Sequence, residues 1–286
     1  MEVAKEHWDI EIKPKNNYFT LNLKELWRYR DLIQMYIRRD IVTVYKQTIL
    51  GPLWYVIQPL FTTIMFMFVF GKIAGISTDG LPEVLFYLNG ILCWTYFSEC
   101  LTKASGTFSN NVNVFSKIYF PRLVVPISSI VSNLVRFGIQ LLLFLGVYIY
   151  YYYYNFDIHF TYHILLFPAL LIMIAGLGFG FGVIISSLTA KYRDLAIFFT
   201  FVTQLWMYAT PIAYPLSVME ENYSKYMWII QLNPLTSITE TMRYAFMGEG
   251  MVSWFWLGYS FAFTIIIAVI GIFIFNKVER NFVDII

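Results

Sequence analysis

The sequence YKQTILGPLW, residues 45–54, joins a basic amphipathic segment to the first long apolar run of the chain. Upstream, residues 21–44 repeat apolar side chains with a period near 3.6 and carry lysine and arginine on the other face, which predicts a helix lying in the membrane interface. Downstream, Gly51-Pro52 breaks the chain and Pro59 follows inside the apolar run, so we expect a kinked entry into the membrane. This junction therefore sets the side of the membrane on which the N-terminus lies.

The composition excludes a water-soluble globular protein. The chain has 286 residues, of which 58% are hydrophobic and only 13% charged, and its mean hydropathy is +0.61. About 20 apolar residues cross about 30 Å of hydrocarbon, and six runs meet this length: 53–75, 84–101, 123–152, 164–188, 195–216 and 257–275. The sequence therefore predicts an all-α polytopic membrane protein, with a tail and interfacial helix at residues 1–50 and a six-span domain at residues 51–286.

Basic residues indicate the orientation of the chain. Six spans leave both termini on one side, and sixteen of the twenty lysine and arginine residues fall in the termini and loops of that side. The opposite loops contain three, Lys72, Lys225 and Arg243, together with seven acidic residues. The positive-inside rule predicts that both termini are cytoplasmic. Residues 1–17 are polar, so we expect no cleaved signal peptide.

Apart from Lys72 near the outer end of the first span, two charged residues fall inside the predicted spans. Arg136 lies in the third span, where an isolated charge costs at least about 2.5 to 3.5 kcal/mol, so it needs a partner and a protein or water environment. Glu99, in the second span, is the nearest acidic candidate. The two residues form either a structural ion pair or part of a functional site.

The fourth predicted span has a regular pattern of small residues. Gly176, Gly178, Gly180 and Gly182 form two overlapping GxxxG patterns, which let helices approach closely. The pattern does not fit a phosphate-binding loop, because no Lys-Ser or Lys-Thr follows it.

The fifth and sixth predicted spans are separated by two short segments, 219–230 and 233–247, that are too short or too polar to cross a membrane. The second begins with an asparagine that can cap a helix, followed by a proline at the first helical position. It also carries a glutamate and an arginine three residues apart, which can pair. We expect two short helices that dip into the outer leaflet, acting as a gate or as an ordinary outer loop. The residues that mark this outer gate are Asn233, Pro234, Glu240 and Arg243.

Aromatic residues make up 20% of the chain, and many of them lie inside the predicted spans. Packing and contact with lipid explain such residues in general. Rings with polar edges also suit the wall of a wide path for an amphipathic or sugar-bearing substrate. The candidates for such a wall are Phe61, Tyr87, Trp94, Tyr96, Phe198, Phe201 and Trp206.

Motifs for catalysis are missing. The chain has no Walker A, HExxH, CxxC or GxSxG sequence, and its three histidines, His7, His159 and His163, fall in the tail or an outer loop. A membrane-embedded transferase or protease normally gathers titratable groups within the bilayer. The sequence therefore argues against an enzyme, and we expect no cofactor bound by this chain.

Four motifs, in this order and spacing, resemble the permease subunits of ABC-2 type polysaccharide exporters, the Wzm-like O-antigen permeases and their teichoic acid and capsule relatives. The resemblance extends over nearly the whole chain. The motifs are YKQTILGPLWYVIQ at 45–58, SKIYFPRLVVP at 116–126, KYRDL at 191–195 and QLNPLT at 231–236.

The resemblance implies a homodimer in the inner (plasma) membrane that encloses a channel and docks two copies of a cytoplasmic ABC ATPase. The partner would bind ATP and Mg²⁺, the substrate would be a glycan on a polyprenyl diphosphate, and membrane lipids but no nucleic acid would be contacted. Arg30, which interrupts the predicted apolar stripe, would snorkel or contact the diphosphate. The segments at 219–230 and 233–247 would be the outer gate. The ATPase docking residues implied are Arg28, Arg38, Arg39, Phe115, Ser116 and Lys117.

Other functions stay open at this level. An ABC-2 exporter of a drug or small lipid would share the same features. A membrane glycosyl or acyl transferase would depend on Glu99, and a scaffold without transport activity would need none of these residues.

Overall fold

The computed structural model describes residues 23–46, 49–118, 120–154, 156 and 158–285. The predicted tail up to residue 22 lies outside them. Within the described residues the chain forms thirteen α-helices and no β-strand, so the predicted all-α fold is confirmed. Five helical segments are long and apolar enough to cross a membrane: Gly51–Ile73, Glu83–Ser105, Val124–Tyr153, Tyr162–Thr189 and Trp254–Glu279.

The amphipathic segment forms two helices, α1 (Leu23–Arg28) and α2 (Arg30–Tyr45), with a break at Tyr29. Within this segment, the side chains of Leu26 and Tyr36 are buried. Trp27, which the 3.6-residue pattern assigns to the apolar face, is exposed. Leu26 and Tyr36 are nevertheless buried in one apolar cluster, with Tyr29 and Ile33 packed against it, so α1 and α2 share a buried face that does not include Trp27.

The first span enters through a 3₁₀ turn, Gly51–Leu53, and continues as α3 (Trp54–Phe66) and a π-helix, Met67–Ile73. Pro59 lies inside α3, as the sequence shows. The second span is α4 (Glu83–Ser105), and its apolar window is largely buried inside the protomer, whereas that of the first span is largely uncovered. A membrane helix with so little protein cover needs lipid or another chain against it.

Of the remaining long helices, the first two pack against α4 and the third packs against the second. They are α7 (Val124–Tyr153), α8 (Phe167–Thr189) and α13 (Trp254–Ile285); the short helices α5 (Thr107–Asn110) and α6 (Val112–Phe115) precede α7, and a 3₁₀ turn, Tyr162–Leu166, precedes α8.

The GxxxG glycines allow α8 to approach two neighbours. A β-carbon on Gly178 would lie 2.6 Å from the β-carbon of Cys100 in α4, and one on Gly180 would lie 2.5 Å from the Ile267 side chain in α13. Side chains at these positions would push the helices apart. The close approach that the spacing predicts is therefore present, on two opposite faces of one helix.

The predicted fifth span, 195–216, is shorter than expected. Helix α9 (Leu195–Tyr208) has 14 residues, which gives a length of about 21 Å at 1.5 Å per residue, less than the roughly 30 Å of hydrocarbon. Residues 209–215 are not helical. Pro211 and Pro215 lack the backbone N–H that a continuing helix would need, so α9 is a shorter apolar helix.

Between α9 and α13 the chain forms α10 (Leu216–Tyr223), a 3₁₀ turn (Ser224–Tyr226), α11 (Met227–Gln231) and α12 (Pro234–Met247). Every residue of α12 except Tyr244 is buried. Helix α12 ends at Gly248, whose φ of +80° is a left-handed conformation that favours glycine. The second of the two predicted outer helices therefore lies in the interior of the protein.

Candidate functional site

Two cavities lie beside the central helix α4. The α4–α9 cavity, of about 540 Å³, lies between α4, α8 and α9. The α3–α7 cavity, of about 550 Å³, lies between α3, α4 and α7. Trp94, Ser98 and Met207 line both cavities, so the two share a wall. Both volumes are in the range of small-molecule binding sites.

The α3–α7 cavity combines aromatic rings with hydrogen-bonding side chains. The only charged side chain among the described residues that line it is Arg136. The other lining residues with rings or polar side chains are Trp54, Phe61, Trp94, Gln58, Thr62, Thr95, Ser98 and Gln140.

Arg136 forms an ion pair with Glu99 at the edge of this cavity. The guanidinium donates one hydrogen bond to the Glu99 carboxylate and a second, of 3.0 Å, to the side-chain oxygen of Gln58. It also lies 4.9 Å from the ring centroid of Tyr55. The side chains of Arg136 and Glu99 are 18% and 29% exposed, so the pair is largely removed from solvent. The structure thus brings together the two charges that the sequence places in adjacent spans, and α3 adds a third partner.

Gln140 is a cavity residue that the sequence reasoning missed. It lies one helical turn beyond Arg136 on α7, lines the α3–α7 cavity and is 2% exposed. Neither its side-chain nitrogen nor its side-chain oxygen has a hydrogen-bond partner among the described residues. The sequence does contain an indication of Gln140, because it lies four residues after Arg136, and residues at i and i+4 share a helix face.

The predicted aromatic wall is only partly present in the protomer. Phe61 lines the α3–α7 cavity, Phe201 lines the α4–α9 cavity, and Trp94 lines both. Phe198 is exposed on α9. Trp206 lies among other rings, with the ring centroids of Phe97 and Phe181 each 5.1 Å away, and donates its indole N–H to Asn233.

Tyr87 and Tyr96 were expected on the same wall and are instead in the core. Both are at most 2% exposed. Tyr87 is covered by Phe66 of α3, whose ring centroid is 6.1 Å away, and Tyr96 packs against Phe137 of α7 at 5.0 Å. Helix α4 is surrounded on most sides, so few of its aromatic residues can reach a cavity.

The two segments expected to dock an ATPase meet in one apolar cluster at the α2 end of the bundle. Tyr36 of α2 lies 6.2 Å from Phe120, and Phe120 lies 5.6 Å from Phe115. Burial raises the pKa of Tyr36 above its usual value, which keeps this ring neutral within the cluster. The residues buried in this interfacial cluster are Leu26, Tyr36, Phe108, Phe115, Phe120, Leu123, Val124, Val125, Val183 and Phe275.

Phe115 is therefore a core residue and not a docking contact, which corrects the expectation from sequence. Its side chain is buried against Phe108 and Phe120, because an isolated aromatic ring in a polar loop is stabilised by the nearest apolar surface. Ser116 and Lys117, which follow it, are exposed.

The basic residues of α1 and α2 lie on the open side of the same region. Arg28 and Arg38 are exposed, and Arg39 donates to Asp40 at 2.8 Å while its guanidinium lies 4.3 Å from the Tyr36 ring centroid. Arg30 is 63% exposed and lies 3.7 Å from the Asp31 carboxylate. Arg30 thus points away from the apolar stripe in which the sequence pattern places it.

The charged residues of the predicted outer gate form a fully buried pair. Arg243 donates to Glu240, and each side chain is 1% exposed. Arg243 also donates to the carbonyl oxygen of Pro211 at 2.8 Å and lies 3.9 Å from the Phe86 ring centroid. The backbone N–H of Met251 donates to Glu240 at 3.2 Å. This ion pair therefore links α12 to Pro211, which precedes it in the sequence, and to Met251, which follows it.

Asn233 and Pro234 begin α12 as a capped helix start. The side-chain oxygen of Asn233 accepts from the Leu235 N–H at 3.1 Å, and Pro234 occupies the first turn. The Asn233 amide donates to the hydroxyl of Thr210 at 2.9 Å. The cap is therefore also a tether to the irregular segment that follows α9.

Comparison with known proteins identifies the family. Residues 31–247 match the family described as ABC-2 type transporter. The chain is 28% identical over 258 residues to the O-antigen export system permease protein RfbA of Klebsiella pneumoniae, covering 89% of this chain and 95% of that protein. It is 26% identical over 226 residues to RfbA of Myxococcus xanthus, covering 78% and 83%, and 25% identical over 248 residues to the polysialic acid transport protein KpsM of Escherichia coli, covering 85% and 91%. The chain belongs to the ABC-2 type transporter family.

Proposed function

We propose that this chain is the membrane permease subunit of an ATP-driven exporter for a lipid-linked polysaccharide, an O-antigen or a related cell-surface glycan, and that it moves this substrate from the cytoplasm across the inner membrane. The names of the relatives support the substrate class, since three of them are O-antigen export permeases and two are polysialic acid transport proteins. Motifs for catalysis are absent from the sequence, which supports a transport role.

The observation that carries the proposal is the uncovered side of the protomer. None of the residues of α9 is buried, and the first span is covered over only a small part of its length. Between these helices lie cavities with polar walls, including Gln58 and Thr62. Polar groups in contact with lipid are costly, so a second copy of the chain would close this side and complete a path. This supports a homodimer.

The ATPase would dock at the end of the bundle that carries α2. Exposed basic residues lie there on two segments that share the interfacial cluster. A movement of the ATPase that displaces either segment would therefore be transmitted to the transmembrane helices through packed side chains. The residues proposed for this contact are Arg28, Arg38, Arg39, Ser116 and Lys117. Arg30, which is exposed on the same helix pair, would contact the lipid diphosphate.

A strain lacking this chain tests the proposal. Reintroducing the chain together with a cognate ABC ATPase should restore polysaccharide at the cell surface, and the two proteins should co-purify. An ATPase carrying a substituted Walker A lysine is the matched control and should restore none. Restored transport of hydrophobic small molecules without surface glycan would instead favour a drug or lipid exporter. Turnover by the purified chain alone, lost in Glu99→Gln, would favour a transferase.

A further inference from the structure

We propose that the α3–α7 cavity is a binding subsite for a neutral pyranose residue, with Gln140 as its central hydrogen-bonding group. This proposal rests on the proposed function, because it names the kind of sugar unit that the exported glycan presents to the permease. It goes further in assigning a specific recognition site within the membrane domain.

The first reason is the unpartnered amide of Gln140. The side chain is 2% exposed, yet both its nitrogen and its oxygen lack partners among the described residues while it lines a cavity of about 550 Å³. A buried polar group without a hydrogen bond costs about 1–3 kcal/mol. A ligand that both donates and accepts would satisfy this amide, and a sugar hydroxyl does both.

The second reason is the arrangement of groups around Gln140. Trp54 and Trp94 supply flat apolar faces, which suit the C–H faces of a pyranose ring, and Phe61 adds a third ring. Gln58 and Thr62 supply polar atoms from the opposite wall. A purely hydrophobic ligand would cover the rings but leave the Gln140 amide unsatisfied, so the lining favours a sugar over a drug or an acyl chain.

The third reason is the charge balance. Arg136 is the one charged residue among the described residues that line this cavity, and it already donates to Glu99 and Gln58. The cavity therefore has no uncompensated positive charge for a carboxylated sugar. The Nε–H of Arg136 has no partner among the described residues, but Glu99 already neutralises the guanidinium, so the charge of an acidic sugar would stay uncompensated here and a neutral sugar would bring none.

Thiol protection in the full-length chain tests the proposal. Ser98 lines both cavities, whereas the native Cys93 and Cys100 are buried, so the new thiol of Ser98→Cys can be labelled selectively with a small methanethiosulfonate. Maltopentaose is the neutral probe and pentagalacturonate is the acidic probe. Maltopentaose should slow labelling, and pentagalacturonate at the same concentration should not.

Two substitutions in the Ser98→Cys background locate the bound sugar. Gln140→Met keeps the length of the side chain and removes its hydrogen bonds, so the protective affinity should fall about tenfold, the equivalent of one or two neutral hydrogen bonds. Gln204→Met is the matched control, because Gln204 lines only the α4–α9 cavity, and it should keep full protection. Loss of protection in Gln204→Met with retention in Gln140→Met would overturn the assignment.

The measurement with intact Gln140 decides the proposal even if Gln140→Met does not fold. If neither sugar protects Ser98→Cys, the cavity holds water only and the proposal is wrong. Equal protection by both sugars would overturn the preference for a neutral ring. These failures are distinct from failure of the proposed function, since surface polysaccharide would still depend on the chain and on its ATPase.

Discussion

Trp206 of α9 donates its indole N–H to the side-chain oxygen of Asn233 across 3.1 Å, and that same oxygen caps α12. One asparagine therefore holds the start of α12 against the end of α9. The contact joins residues 27 positions apart, and it links the two segments whose structure differs most from a simple six-span bundle.

Replacing Asn233 by alanine should destabilise the fold. The change removes a helix cap, which costs about 0.5–2 kcal/mol, and leaves the Trp206 indole N–H without its acceptor. Thermal unfolding in detergent, followed by tryptophan fluorescence, should show a lower midpoint. Asn233→Asp is the matched control, because it keeps the acceptor for Trp206 and Leu235 and should lose less. An unchanged midpoint in Asn233→Ala would show that the cap is unimportant.

The Glu99–Arg136 pair should behave as one unit. Arg136→Leu leaves a carboxylate without its partner in the membrane domain, so it should be more damaging than the double change with Glu99→Gln. We expect a coupling of about 0.5–3 kcal/mol in a double-mutant cycle of unfolding free energies. Gln140→Leu combined with Glu99→Gln is a control, as Gln140 has no hydrogen bond to Glu99, and these changes should add. Additive effects of Arg136→Leu and Glu99→Gln would exclude the coupling.

The buried Glu240–Arg243 pair should tolerate the loss of one partner less well than the Glu99–Arg136 pair does. Removing one partner of a buried ion pair costs about 3–5 kcal/mol because it leaves an uncompensated charge. Arg243→Met should therefore abolish monodisperse protein on size-exclusion chromatography, and Glu240→Gln in the same chain should restore part of it. Arg28→Met, on the exposed surface, controls for the loss of an arginine and should have no effect. Full stability of Arg243→Met alone would contradict the role of the pair.

Charge reversal at Lys117 tests the docking surface separately from the core. Lys117→Glu should weaken association with the ATPase by about tenfold, as expected for about 1.4 kcal/mol of lost complementarity, and leave the thermal midpoint unchanged. Lys225→Glu, on the outer segment between α9 and α13, is the control and should bind normally. Co-purification at low and high salt provides the measurement.

Phe115→Ala, in contrast to Lys117→Glu, should lower the thermal midpoint. Deleting a buried aromatic ring typically costs about 3–5 kcal/mol, so the thermal midpoint should fall even in the absence of an ATPase. Ile118→Ala, at an exposed apolar position in the same loop, should leave the midpoint unchanged. A stable Phe115→Ala variant with impaired ATPase binding would return Phe115 to the docking surface.

The sequence determined those features that depend on local chemistry. Apolar runs identify the membrane helices because hydrocarbon excludes polar backbone that is not internally bonded. The Asn233-Pro234 start of α12 follows from the geometry of helix caps, and the Gly178 and Gly182 spacing predicts a close helix contact. Glu99 and Arg136 were paired from sequence because each needs a partner in an apolar setting and few others exist.

Only the tertiary structure decided which faces are covered. Tyr87 is buried by Phe66 of another helix, whereas Phe115 is covered partly by its near neighbours Phe108 and Phe120; the sequence pattern reveals neither contact. The sequence of α12 suggests a polar outer segment. In the structure its ion pair closes within the helix, and Thr236 and Ser237 bond outside it to Ile230, Trp256 and Ser260. The early end of α9 is local, since it follows from Pro211 and Pro215, whereas the burial of the unpartnered Gln140 is set by long-range packing around α4.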